Sequence, residues 1–199
     1  MKRVATGLVL ALVFCNISYA GQINSSLGYT ASVPSNWLIL TREEIRKNPD
    51  LFEDLVLQGV DKQLLNNTLE SIKSGKVDVL FRKNRKTSTF ADNINMFKQI
   101  QPTPSSDKDL KALCSTLPTE LRNAFNRQVS VYGCEFRIIN GIKTVYLDFD
   151  GVVPRTRSMQ YSIPRSQNIS LIVTATTSET TLNEVRKEFT EIMASFKDN

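Results

Sequence analysis

Asp148-Phe149-Asp150-Gly151 is the stretch whose residue types and spacing best invite chemistry. Residues two apart in a strand share a face, so both carboxylates sit together near a strand end. There they can hold a cation or act as an acid and base pair. The same residues also read as an acidic strand end with a glycine opening a turn. No second motif joins them, and the spacing is not that of an EF-hand. The chain contains no histidine. That removes Ser-His-Asp and Cys-His nucleophilic sites, imidazole acid–base work and histidine zinc sites. The residues therefore predict no catalytic, cofactor-binding or metal-binding group. Replacing Asp148 and Asp150 together by Asn is expected to leave stability nearly intact.

The cysteines point to an oxidising compartment. Cys15 lies in the first twenty residues, and Cys114 and Cys134 remain. A lone pair in an exported protein is expected to form a disulfide, while the absence of C-x-x-C spacing argues against redox work. Two unrelated buried thiols are the alternative.

Two polar clusters could meet a partner. Arg82, Lys83, Arg85 and Lys86 form a basic run, joined by Arg155, Arg157 and Arg165. Such a run suits an anionic lipid, polysaccharide or nucleic acid, or is simply a solvated loop. No aromatic residues interleave it, so a single-strand nucleic-acid groove is not expected. The second cluster comes from strand alternation. Tyr132, Cys134, Phe136 and Ile138 share one face, expected to look into the core because it carries the disulfide. Glu135 and Arg137 then look the other way, as do Tyr146, Asp148 and Asp150 on the following strand. The Asn140-Gly141 turn pairs the two strands. Glu135, Arg137, Tyr146 and Asp148 thus form a mixed-charge patch with one aromatic, a composition suited to protein recognition or to a solvated sheet face.

The elements that must position these groups follow an export signal. Lys2 and Arg3 precede the short apolar run Leu8–Phe14, and Ser18-Tyr19-Ala20 ends in small residues at the cleavage positions. Cleavage after Ala20 is expected, leaving residues 21–199 as one domain. A retained anchor or a lipid on Cys15 are the alternatives. Lys2 and Arg3 also supply part of the formal +5 charge, so the mature chain is too mildly basic to imply nucleic acid. No later apolar run predicts a transmembrane helix.

Ser26–Val33 reads as a strand with Leu27, Tyr29, Ala31 and Val33 on one face. After Pro34-Ser35-Asn36 turns the chain, Trp37–Leu40 returns as a second strand. Thr41 with Glu44 is a capping box. Asn48-Pro49 opens a helix carrying Leu51, Phe52, Leu55 and Val56, and Asp61–Ser74 predicts another, ending at Gly75. Strands are expected at Val77–Phe81 and Asn93–Ile100. Helices at Asp107–Cys114 and Thr119–Phe125 are expected to be broken at Pro118. Four strands follow, Ser130–Ile139, Ile142–Asp150, Arg157–Ile163 and Asn168–Thr176. A closing helix over about Thr180–Phe196 is expected to bury Phe189, Ile192 and Phe196. Hairpin-joined strands with helices between and after them make an α+β fold.

Three stretches resemble the superfamily of PsbP, the extrinsic photosystem II protein, which also includes a Ran-binding nuclear-import factor and bacterial exported relatives. Gly28-Tyr29-Thr30-Ala31-Ser32-Val33-Pro34-Ser35-Asn36-Trp37 is similar to the family's opening hairpin. Asp92-Asn93-Ile94-Asn95 is similar to its mid-chain strand, although Met96 stands where the family has Val. Ile169–Thr176, with a helix ending Ala194-Ser195-Phe196-Lys197, is similar to its close. The resemblance implies an α/β/α sandwich with a mainly antiparallel central sheet. It carries over no binding residues. The function expected is that of a non-catalytic accessory or binding protein, periplasmic or secreted, with a protein partner. A secreted effector or inhibitor, and a carboxylate-based hydrolase, are the alternative readings.

Overall fold

The computed structural model describes residues 19–49, 62–83 and 90–199. The helix expected from Asn48-Pro49 across Leu51–Val56, the basic residues Arg85 and Lys86, and most of the expected export signal lie outside these residues.

Seven strands form one sheet in which every neighbouring pair is antiparallel: β3 (Trp37–Leu40), β4 (Val77–Arg82), β5 (Asn93–Gln99), β6 (Val131–Ile139), β7 (Ile142–Asp150), β8 (Thr156–Ser166) and β9 (Ile169–Ser178). Their spatial order is β3-β4-β5-β9-β8-β7-β6. A small second sheet joins β1 (Tyr19–Ser25), β2 (Tyr29–Pro34) and β10 (Lys197–Asp198). This overturns one expectation. The opening hairpin is β1 with β2, and Trp37–Leu40 leaves for the large sheet instead of pairing with β2. The reason is burial: Tyr29, Ala31 and Val33 face the core from one sheet and Trp37 faces it from the other.

The large sheet is covered on both faces. Its inner face carries Leu80, Ile94, Met96, Tyr146, Met159, Tyr161, Ile163, Leu171 and Val173, packed against β2 and against α4 (Leu182–Ser195) through Val185, Phe189, Ile192 and Met193. Phe189, Ile192 and Phe196 are buried, as the helical spacing predicts. On the outer face, α1 (Arg42–Lys47) and α2 (Lys62–Lys73) flank β3 and β4 around Val79 and Phe81. At the other end α3 (Asp107–Phe125) lies on Val145, Leu147 and Phe149. The arrangement is an α+β sandwich.

α3 corrects a second expectation, because it runs unbroken through Pro118. Proline removes one backbone donor and normally breaks a helix. Here Leu110, Leu113, Leu117, Leu121 and Phe125 keep helical spacing across it and pack together on the sheet. Tertiary burial outweighs the local preference. A disulfide joins Cys114 of α3 to Cys134 of β6. The β6–β7 turn has Asn140 at φ 48° and Gly141 at φ 83°, the left-handed pair a two-residue hairpin requires. The Asn140 amide also donates to the carbonyls of Ala194 and Phe196, tying the turn to the end of α4.

One carboxylate is sunk into the inner face. Asp78 of β4 is fully buried. Its Oδ2 accepts hydrogen bonds from Tyr29 (2.8 Å) and from Ser25. Burial pushes its pKa up, the two hydroxyls oppose this, and the Glu43 charge adds to the rise. A raised native pKa means the folded state holds a proton that the unfolded chain gives up first, so this group's contribution declines as pH rises from the unfolded toward the folded value. Asp78→Asn keeps an acceptor for both hydroxyls without the charge. Its stability relative to wild type should therefore improve as pH rises from about 3.9, the ordinary carboxyl value, and level off above the folded value, as read by urea denaturation at several pH values. A difference that is flat with pH would rule this account out.

Candidate docking surface

The inner face beside α4 gathers the charged residues of β6, β7 and β8. The register sets Glu135 opposite Tyr146, Arg137 opposite Thr144, Gly133 opposite Asp148, and Asp148 opposite Met159. A bulge between Val131 and Gly133 leaves Tyr132 as an extra residue and turns it outward. Tyr132 is 55% exposed, and Ile138 is 65% exposed beyond the reach of α3. Both were expected in the core, whereas Cys134 and Phe136 of the same set do pack beneath α3.

The other face also differs from its expected form. Tyr146 and Asp148 are 3% and 4% exposed, because α4 lies over them. Asp148 Oδ1 accepts from Arg157 Nε, and Oδ2 accepts from Arg186 Nη1 of α4 at 2.9 Å. Carboxylate and guanidinium pair well when both oxygens are used, and the pairing offsets the cost of burial. Arg157 also stacks on Tyr132, its guanidinium 3.1 Å from the ring centroid. Arg137 stacks on Tyr146 at 3.4 Å, donates to the Tyr161 hydroxyl at 3.2 Å and pairs with Glu135 at 2.6 Å. Burial, with the adjacent Asp148 charge, pushes the Tyr146 phenol up. It stays neutral and offers its ring to the cation.

Asp150 is held separately. Its oxygens accept from the Ser130 N–H and the Tyr132 hydroxyl, each at 2.9 Å. Burial pushes its pKa up. Those two bonds and the Arg127 and Arg157 charges outweigh that and hold the carboxyl below its ordinary value. All four oxygens of the Asp148–Asp150 pair are therefore engaged. A cavity of about 310 Å³ does open on the outer face, between α3, the 101–104 segment and residues such as Gln160 and Ser162. Neither aspartate lines it.

The basic run divides. Arg82 is taken into the fold, its side chain 7% exposed, where it pairs with Glu184 at 2.9 Å and Glu188 at 2.7 Å on α4 and with Asp92 at 3.7 Å. Arg157 is committed to Asp148. Lys83 and Arg155 remain on the surface. The expected basic surface is thus split by carboxylates that sequence neighbours do not reveal. Arg127 and Arg186 were missed as members of the Asp148 and Asp150 cluster. Arg186 carries a signal in retrospect: on a helix with Val185 and Phe189 buried, it sits at the flank of the apolar stripe.

The structure resembles the solution structure of cyanobacterial PsbP (CyanoP) from Synechocystis sp. PCC 6803, at 13% identity over 98% of this chain and 99% of that one, with a TM-score of 0.54. It also resembles the Saccharomyces cerevisiae Ran-binding protein Mog1p, at 8% identity over 92% of this chain and 96% of that one, with a TM-score of 0.50. The fold is PsbP-like. No protein-family model matches the sequence, and no curated relative does.

Asp148→Asn should cost about 3 kcal/mol of unfolding free energy, the scale for removing one partner from a buried ion pair. Asp150→Asn should cost about 1 kcal/mol or less, as a hydrogen-bonded but more accessible group. This reverses the expectation that both changes are nearly neutral. Chemical denaturation of the two single variants checks it. Equal, small effects would mean Asp148 does not organise the cluster.

Proposed function

We propose that this chain is a non-catalytic exported protein that docks another protein through the surface built from β6, β8 and α4. The observation that carries the reading is the seating of Arg157 and Arg186 on one buried carboxylate beside exposed Tyr132. Arginine and tyrosine dominate protein hot spots, and fixing their side chains beforehand lowers the entropy lost on binding. Glu135 and Arg137 extend the surface along β6, with Tyr146 and Asp148 beneath as its support. The Ran-binding name of Mog1p is in keeping with a binding role on this scaffold. A hydrolase would need at least one accessible carboxylate, and both aspartates are already occupied by donors. Nothing favours the effector reading specifically.

Export rests on the charged, apolar and small-residue pattern of residues 1–20, and the Cys114–Cys134 bridge is in keeping with an oxidising compartment. Cleavage after Ala20 leaves Gly21–Ser25 still registered on Tyr29–Val33. In the native host, intact mass should show a chain beginning at Gly21. Cross-linked capture should yield one dominant partner that is lost from the folded Tyr132→Ala, Arg186→Glu double variant. Capture that is unchanged by this double variant contradicts the docking surface. A mass retaining residues 1–20 contradicts the export step.

A further inference from the structure

β6 is the last strand of the large sheet, and no strand among the described residues covers its outer edge. It runs for 9 residues without the Lys or Pro that usually guards such an edge. Its bulge protects only the start, and Ile138 stands 65% exposed near the end. The two-residue turn makes Ile139 and Ile142 a hydrogen-bonded pair, so by alternation Arg137 and Glu135 bond inward to β7. Cys134, Phe136 and Ile138 then direct their N–H and C=O groups to the open side. The Cys134 carbonyl lies 3.3 Å from the Cys114 sulfur, which donates no hydrogen because it is in a disulfide.

We propose that this edge pairs with the same edge of a second copy, antiparallel about Phe136. The proposal deepens the docking reading and rests on it only in using the same strand. The charges select this register. Phe136 meets Phe136 in a hydrogen-bonded pair, Cys134 meets Ile138, and Glu135 meets Arg137 twice, once on each side of the two-fold axis. Facing residues of this kind bring opposite charges within about 5.5 Å at Cβ. Within one copy Glu135 and Arg137 already pair across an exposed surface, worth about 1 kcal/mol or less. The exchange therefore costs little, and Arg137 keeps its place over Tyr146. A two-fold interface must be self-complementary, and this strand is so in charge and in backbone polarity. A short strand-on-strand contact buries little area, so the association is weak and concentration-dependent.

Sedimentation equilibrium on the purified mature chain tests this without any other protein present. The wild type should move from monomer toward dimer mass as concentration rises. Glu135→Arg and Arg137→Glu should each weaken association at least about tenfold, equivalent to about 1.4 kcal/mol, and the double exchange should recover most of it. Ile138→Lys, at an exposed position, should also weaken association while leaving the circular dichroism spectrum unchanged, and it stands in if a charge variant misfolds. A wild type that stays monomeric at every concentration overturns the proposal. So does a dimer indifferent to Ile138→Lys, or a charge-exchange variant no better than its parents. Partner capture that is unchanged in the Tyr132→Ala, Arg186→Glu double variant, with the dimer intact, would count against the docking reading alone.

Discussion

The seating of α4 on the inner sheet face governs nearly everything else in this molecule. An apolar stripe of Val185, Phe189, Ile192 and Met193 supplies the bulk of the attraction. Apolar contact alone is non-directional. Charges fix the helix along and across the sheet. Toward its start, Glu184 and Glu188 hold Arg82, and Glu188 also accepts from the indole of Trp37 and the amide of Asn36, each at 2.8 Å. On the flank toward β7, Arg186 reaches Asp148. Asp92 closes the approach by accepting from the hydroxyls of Thr177 and Thr181 and from the Ser178 N–H. Misplace the helix and Arg82 loses Glu184 and Glu188, Trp37 and Asn36 lose Glu188, and Asp148 loses Arg186, all together.

That arrangement explains why the enzyme-like aspartates belong to a framework. A carboxylate nearly removed from water requires compensating donors, and each donor it recruits reduces its availability as a base. Asp148 recruits two arginines, and one of them, Arg157, is stacked in turn on Tyr132. Chemistry that looks catalytic in a linear reading thus becomes a means of holding cations still at a surface. The same scaffold can present a different surface elsewhere, since a fold does not by itself specify a function.

The fold was legible where local rules and tertiary packing agree. Asn140-Gly141 forces a hairpin, Thr41 and Glu44 cap a helix, and the spacing from Leu182 to Phe196 needs an apolar face to cover. The rest required long-range partners. Pro118 obeys the packing of its leucines and overrides its own preference. Trp37 pairs with Arg82 of β4, forty-five positions on, which no local pattern announces. The candidate site was half visible: alternation put Glu135, Arg137, Tyr146 and Asp148 on one face. It could not say that α4 covers that face, because periodicity reports which residues share a side and not what lies above it. Arg82 was read as surface for the same reason, its acidic partners being on a helix about a hundred positions later.

The central claim is that a buried carboxylate immobilises the arginines of the proposed docking surface. NMR of arginine side-chain nitrogens reads this directly, because a guanidinium held at defined atoms rotates slowly about its Nε–Cζ bond. The structure predicts separate, unaveraged Nη signals for Arg82 and Arg186, each held through an Nη, and averaged ones for Arg155, with Arg186 becoming averaged in Asp148→Asn while Arg82 does not change. If Arg186 averages like Arg155 in the wild type, the carboxylate does not hold it and the account of the surface fails.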